Sequence, residues 1–251
     1  MKKWQRINLM LFLCLVSLTS CIVYFMGRMS VSTAFEKPWH LQPAIHEDSL
    51  SQESKNLYKI FDKRRLYSHF KDTSRTQIMI LVDSWGVPDE DLLLKDDLAI
   101  FANIPHVFML HQRLANRTKH AELTELRGNS PNNIFLFGGD SLEYNRKQYL
   151  QEIRFSRTLF CQYCSDSTMV AKMDSVLTHD SVAYLAWTTQ SSRTGDRDSL
   201  HNSLQLIADF AKRHPDALII VQGTHRPILG LPETRNSYKA HWVPAAILNI
   251  R

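Results

Sequence analysis

The chain has 251 residues and carries 30 Lys and Arg against 25 Asp and Glu, a formal net charge of +5. No aromatic-basic interleaving or known nucleic-acid motif accompanies that charge, which argues against a nucleic-acid partner. Of the four cysteines, Cys14 and Cys21 lie in an apolar stretch and Cys161 and Cys164 form a lone C-x-x-C, whereas a zinc module would want a second pair or histidines at ligand spacing.

The first segment, residues 1–27, reads Lys2, Lys3 and Arg6, then an apolar run from Ile7 to Met26 broken only by Asn8, Ser17, Thr19 and Ser20. About 20 apolar residues suffice to cross a bilayer once. Basic residues ahead of the run favour a cytoplasmic N-terminus and an extracytoplasmic body, periplasmic or extracellular. Such a single-pass signal anchor has two competitors. One is a cleaved signal peptide, which has a shorter apolar core and a small-residue cleavage site. The other is a lipoprotein, with Leu18-Thr-Ser-Cys21 as its box and Cys21 as the lipid-bearing residue. Ile22 to Met26 continue the apolar run where a lipoprotein would turn polar. All three readings export the body and make the lipid bilayer a partner.

Residues 28–72 read as a juxtamembrane linker and helix. Pro38 and Pro43 mark the linker, and Leu57, Ile60, Phe61, Tyr67 and Phe70 fall near helical spacing between Ser54 and Lys71. Lys63-Arg64-Arg65 in that stretch is a solvated face that anionic headgroups would attract.

Residues 73–251 form the α/β body. Ile78 to Val82 are five apolar residues, too short for a normal buried helix and suited to a strand buried on both faces. Asp83 follows at once, then Ser84-Trp85-Gly86. Pro88-Asp-Glu-Asp91 predicts a helix start, because proline suits the first turn and acids suit the positive end of the dipole; the helix extends to about Ala102. His106 to Leu110 is a short strand. Thr118, four residues before Glu122, falls at or near a helix N-terminus. There its hydroxyl can cap the helix, or act as a nucleophile where the dipole and nearby basic groups favour an anionic substrate; both readings stay open. Asn133 to Phe137 is a second buried strand, ending in Gly138-Gly139-Asp140. A helix from about Leu142 to Ile153 and a strand from Phe155 to Cys161 follow. Met169, Val170, Met173 and Val176 predict a helix over 166–177.

Ser181 to Trp187 is a third strand, ending in Thr188-Thr-Gln-Ser-Ser-Arg193. Asp198 to His214 is amphipathic, with Leu200, Leu204, Ile207, Phe210 and Ala211 on one face. Ala217 to Val221 is a fourth strand, followed by Gln222-Gly-Thr224-His225-Arg226, and Val243 to Ile250 is the last. Alternating strands and helices imply a mainly parallel sheet sandwiched between helices. Chemistry in such sheets collects beyond the carboxyl ends of strands, and four strand ends here carry polar clusters. In an oxidising compartment Cys161 and Cys164 suit a local disulfide.

At these residues the chain resembles the alkaline phosphatase superfamily, in its sulfatase-like branch of lipoteichoic acid synthases and phosphoethanolamine transferases. Ile80-Leu-Val-Asp83-Ser-Trp-Gly86 is similar to the family's first strand with its acidic metal ligand. Thr118-Lys-His-Ala-Glu122 is similar to the threonine nucleophile segment. Phe137-Gly138-Gly139 stands where the synthases read His-Gly-Gly, Arg193 where a substrate-binding His is usual, and Thr224-His225 where the family has Asp-His. The resemblance implies a divalent metal, Mn or Zn, on Asp83 and His225; Asp140, at a neighbouring strand end, is a candidate to compensate for the acid that Thr224 replaces. It implies Thr118 as nucleophile, and Arg193, Gly138 and Gly139 as substrate-binding groups. The implied activity is hydrolysis or transfer of phospho- or sulfo-groups on envelope phospholipid or glycan. Thr224 replaces a charged ligand, so the resemblance equally accommodates a catalytically degenerate domain that binds an anionic ligand or a membrane partner.

Overall fold

The computed structural model describes residues 50–61, 66, 74–113, 117–126, 132–139, 153–190, 196–228 and 232–251. The apolar segment 1–27, Asp140, Arg193 and nearly all of the helix expected over 142–153 lie outside them. One compact unit runs from Glu47 to Arg251. Among the described residues no helix is long and apolar enough to cross a membrane.

The strands are β1 (Lys59–Phe61), β2 (Gln77–Val82), β3 (His106–Gln112), β4 (Asn133–Gly139), β5 (Arg157–Gln162), β6 (Tyr184–Thr188), β7 (Leu218–Gly223) and β8 (Trp242–Leu248). They form one sheet in the order β1-β3-β8-β7-β2-β6-β4-β5. All pair in parallel except β8, which runs antiparallel between β3 and β7. The sheet is therefore mixed, and β1 to β7 all end on the same edge. β2 is central: Ile80 lies opposite Trp187 on one side and Val221 on the other.

The helices are α1 (Gln52–Leu57), α2 (Asp91–Ala99), α3 (Thr118–Glu125), α4 (Asp166–His179), α5 (Arg197–Arg213) and α6 (Pro232–Asn236). Alternation along β2 divides the core. Ile78, Ile80 and Val82 join Leu94 of α2, Met169 and Met173 of α4, and Leu204 and Ile207 of α5. Met79 and Leu81 join Ala121 of α3 and Leu126, Leu66 and Ile153 on the other face. Each fully buried aliphatic side chain contributes about 1.5–3 kcal/mol relative to exposure. Local signals start two of the helices. Ser165 caps α4 by accepting from Thr168 N at 3.2 Å, and Asp196 caps α5 by accepting from Ser199 N at 3.0 Å.

Two expectations are corrected. Within the helix expected from Ser54 to Lys71, α1 ends at Leu57 and β1 follows, pairing in parallel with β3; Leu66 is helical, and 62–65 and 67–71 lie outside the described residues. Ile60 and Phe61 serve an edge strand rather than a helical stripe, because β3 offers ladder partners that local spacing does not reveal. Pro88 does not open α2. It bridges Tyr238, while Val87 N donates to Trp242 O and Lys239 N to Val87 O. The backbone there is held extended, and α2 starts at Asp91. Cys161 and Cys164 are joined as a disulfide across the turn that ends β5.

Close approach at the end of β7 depends on Gly223. A Cβ there would lie 1.9 Å from the Trp85 carbonyl oxygen and 3.1 Å from Val243 Cβ. Gly223→Ala is expected to cost about 3 kcal/mol or more through overpacking against backbone, seen as a lower denaturation midpoint of the full chain.

Candidate active site

The carboxyl ends of β6, β2 and β7 are stitched beyond their ladders. Thr189 N donates to Leu81 O at 2.9 Å, and Thr224 N to Val82 O at 3.0 Å. The two threonine hydroxyls then hold the next turn from either side. Asp83 N donates to Thr189 Oγ1 at 3.0 Å, and Ser84 N to Thr224 Oγ1 at 3.2 Å. Ser84 has φ 58°, a left-handed conformation that costs energy for a residue with a side chain. Its hydrogen bond to Thr224 helps hold it there.

Asp83 is thereby presented at the strand edge with its carboxylate almost wholly buried. Its Oδ1 accepts from Thr118 Oγ1 at 2.7 Å and from Thr224 Oγ1 at 3.0 Å. His225 Nε2 lies 3.1 Å from Thr118 Oγ1 and 3.3 Å from Asp83 Oδ1. The other ring nitrogen, Nδ1, is 2.6 Å from the Arg226 carbonyl oxygen. A carbonyl only accepts, so Nδ1 carries a hydrogen. Asp83, Thr118 and His225, predicted separately from three segments, thus meet within hydrogen-bond reach. Asp83, Thr224 and His225 are buried, and Thr118 is the partly exposed member.

Thr118 is the first residue of α3, and Arg117 is its N-cap without a side-chain cap bond. The threonine hydroxyl faces the carboxylate rather than capping its own helix. α3 is fixed from its far end by Glu125, which is fully buried. Leu66 N donates to Glu125 Oε2 at 3.0 Å, and Arg113 Nη2 lies 3.6 Å from Oε1. Burial pushes the Arg113 guanidinium below its ordinary value, and the Glu125 charge opposes that. The pair ties the end of β3 to the end of α3 and so sets where Thr118 falls.

The remaining site expectations distribute differently. Gly138 lies in β4 against the cystine turn. A Cβ there would sit 3.5 Å from Cys161 O and 3.7 Å from Cys164 O, and Gln190 Nε2 donates to its carbonyl. Gly139 pairs in register with Gln162. Neither glycine joins the Thr118 cluster through a described contact. Arg193 and Asp140 lie outside the described residues. Phe137, where the resembling synthases have His, is buried, its ring stacked on Phe135 with centroids 5.3 Å apart and tilted against Phe160 at 5.2 Å. That position is filled by packing.

No protein-family model matches the sequence, and no curated protein matches it. Solved structures do. A protein in the alkaline phosphatase superfamily from Vibrio parahaemolyticus superposes with TM-score 0.51 at 13% identity, over 75% of this chain and 61% of that one. The lipoteichoic acid synthase LtaP from Listeria monocytogenes superposes with TM-score 0.50 at 11% identity, over 70% of this chain and 65% of that one. The fold is alkaline-phosphatase-like. The match spans less than two thirds of either relative's length.

A divalent ion of the kind the resemblance implies would meet a sparse donor set. Among the described residues no group of three or more His, Cys, Asp or Glu side chains converges. Asp83 and His225 are the strong donors in the cluster, and Thr118 and Thr224 are neutral hydroxyls. Both lone pairs of Asp83 Oδ1 are met by hydroxyl hydrogens. A doubly charged ion would replace at least one of them and would face a single carboxylate in a buried site. The residues described do not fit a resident manganese or zinc.

Sequence reading gave no role to Thr189, nor to Asp97 of α2. Asp97 is fully buried and accepts from Trp85 Nε1 at 3.1 Å, Arg197 Nη2 at 2.6 Å and His201 Nε2 at 2.8 Å. It anchors the indole two residues beyond Asp83. Burial raises its carboxyl above the ordinary value, and the Arg197 charge and the His201 and Trp85 hydrogen bonds only partly offset this. A raised folded value means that the folded chain holds a proton the unfolded chain releases. The contribution is fully present below the ordinary carboxylate value and is lost as pH rises through the raised one. Wild-type stability relative to Asp97→Asn should therefore fall as pH climbs from about 4, measured by denaturant titration at stepped pH. A difference that does not vary with pH would contradict this.

Proposed function

We propose that the body hydrolyses or transfers phospho- or sulfo-groups on envelope phospholipid or glycan through Thr118. The observation that carries this is the Thr118 hydroxyl 2.7 Å from a buried carboxylate and 3.1 Å from an imidazole nitrogen. Its position on the first turn of α3 adds to it. The positive end of the helix dipole favours an incoming anion there, and exposed Arg117, Lys119 and His120 flank it. The hydroxyl attacks phosphorus or sulfur, the leaving alcohol departs, and water or an acceptor alcohol then takes the group from Thr118. Export and membrane anchoring through residues 1–27 complete the reading, placing the site where such esters occur.

A second reading is favoured by Thr224 and Phe137. The domain holds an anionic glycan or lipid headgroup at the same strand edge and turns nothing over.

Covalent labelling decides between them. The full chain, purified in mild detergent, is incubated with 4-nitrophenyl phosphate or 4-nitrophenyl sulfate and digested for mass spectrometry. The peptide holding Thr118 should gain one phosphoryl or sulfuryl group. Thr118→Ala should lower nitrophenol release by about 1,000-fold or more, while Thr118→Ser retains measurable turnover. Absence of label with either ester, together with saturable binding of inorganic phosphate, favours the second reading.

A further inference from the structure

We propose that Thr118 is activated by His225 without a resident metal ion, in a hydrogen-bonded cluster organised by Asp83 and Thr224. The proposal rests on Thr118 being the nucleophile. Three observations carry it.

The first is the state of the imidazole. Nδ1 gives its hydrogen to Arg226 O, so in the neutral ring Nε2 has a lone pair, and it points at Thr118 Oγ1 and Asp83 Oδ1. The same tautomer suits a metal ligand, so the ring alone does not decide.

The second is the carboxylate. Asp83 Oδ1 is the shared acceptor of two hydroxyls, and Asp83 N is held by Thr189. Its role here is to orient Thr118 and, at 3.3 Å from Nε2, to offset the charge of the imidazolium that forms. Asp83 Oδ1 already accepts from two hydroxyls, whereas His225 Nε2 faces Thr118 Oγ1 at 3.1 Å with Nδ1 committed to Arg226 O, so the proton passes to His225. Rotation of the Thr118 hydroxyl from Asp83 to Nε2 is the only movement required.

The third is Thr224. A second carboxylate at this position would balance a divalent charge. The hydroxyl present instead accepts from Ser84 N and donates to Asp83, with both functions used inside the protein. It is a structural link between the turn after β2 and the carboxylate, and it leaves an ion with one formal negative charge among the cluster side chains.

The step balances without a further reactant. Thr118 Oγ forms a bond to phosphorus as the bond from phosphorus to the leaving oxygen breaks. The hydroxyl proton passes to His225 Nε2 and from there to the leaving oxygen. In the second half water forms the new bond to phosphorus, its proton passes through Nε2, and Thr118 Oγ recovers it as the bond from Oγ to phosphorus breaks.

The full chain is stripped with a chelator, its metal content checked by atomic emission, and labelled with 4-nitrophenyl phosphate. Labelling of Thr118 should be unchanged by stripping and by added manganese or zinc. His225→Ala should slow it by about 100-fold or more. Calorimetry should show no stoichiometric manganese or zinc binding to the wild-type chain, and Thr224→Asp should acquire it. Labelling that disappears on stripping and returns with metal overturns the proposal while leaving Thr118 as nucleophile. One-to-one binding of either metal to the wild-type chain that Asp83→Asn abolishes also overturns it. Absence of labelling in every condition fails the Thr118 reading itself, and this proposal with it.

Discussion

A single carboxylate oxygen constrains the whole upper edge of the sheet. Asp83 Oδ1 is buried at the end of the central strand, and an ionised carboxylate taken out of water costs several kcal/mol unless hydrogen bonds replace its hydration. Here the replacement comes from Thr118 and Thr224, with His225 beside them. Those side chains belong to the starts of two different connections, after β3 and after β7. Both connections must therefore reach the end of β2 together. The strand order β3-β8-β7-β2 makes this geometrically demanding, since two strands separate β3 from β2.

The surrounding structure meets that demand by bringing backbones unusually close. Without a Cβ at Gly223, the Trp85 carbonyl can lie against the end of β7, and without one at Gly86 the turn can pass Arg226 Cα at what would be 2.6 Å from a Cβ. The Trp85 indole is then locked on Asp97, and α3 is locked on Glu125 at the end away from the site. The turn and the helix that carry the acid and the hydroxyl are thus each anchored by a fully buried carboxylate outside the cluster. Precision at Thr118 comes from these anchors, because a partly exposed hydroxyl on a short helix has few contacts of its own to place it.

Much of the architecture was legible in the chain. Ile78 to Val82 and Leu218 to Val221 are apolar without alternation, which identifies strands covered on both faces. The spacing of Leu200, Leu204, Ile207 and Ala211 identifies α5 for the same reason that it packs: all four lie on the buried side. The short β1 was not legible. Three residues carry too little pattern to separate a strand from a helical fragment, and its pairing with β3 is a contact across 50 residues of sequence. Thr189 and Asp97 escaped attention because a threonine after a strand and an acid in a helix are ordinary locally, and their roles arise from neighbours distant in sequence.

By itself the sequence determined which segments are buried, their order along the chain, and that each buried strand ends in a polar cluster. These follow from hydrophobic periodicity and turn chemistry, which act over a few residues. Only the tertiary structure decided that Asp83, Thr118, Thr224 and His225 share one hydrogen-bonded cluster, that Phe137 is packing, and that Gly138 faces the cystine turn instead. Those outcomes depend on strand order and on ångström-scale approach between segments up to 141 residues apart, which local pattern does not encode.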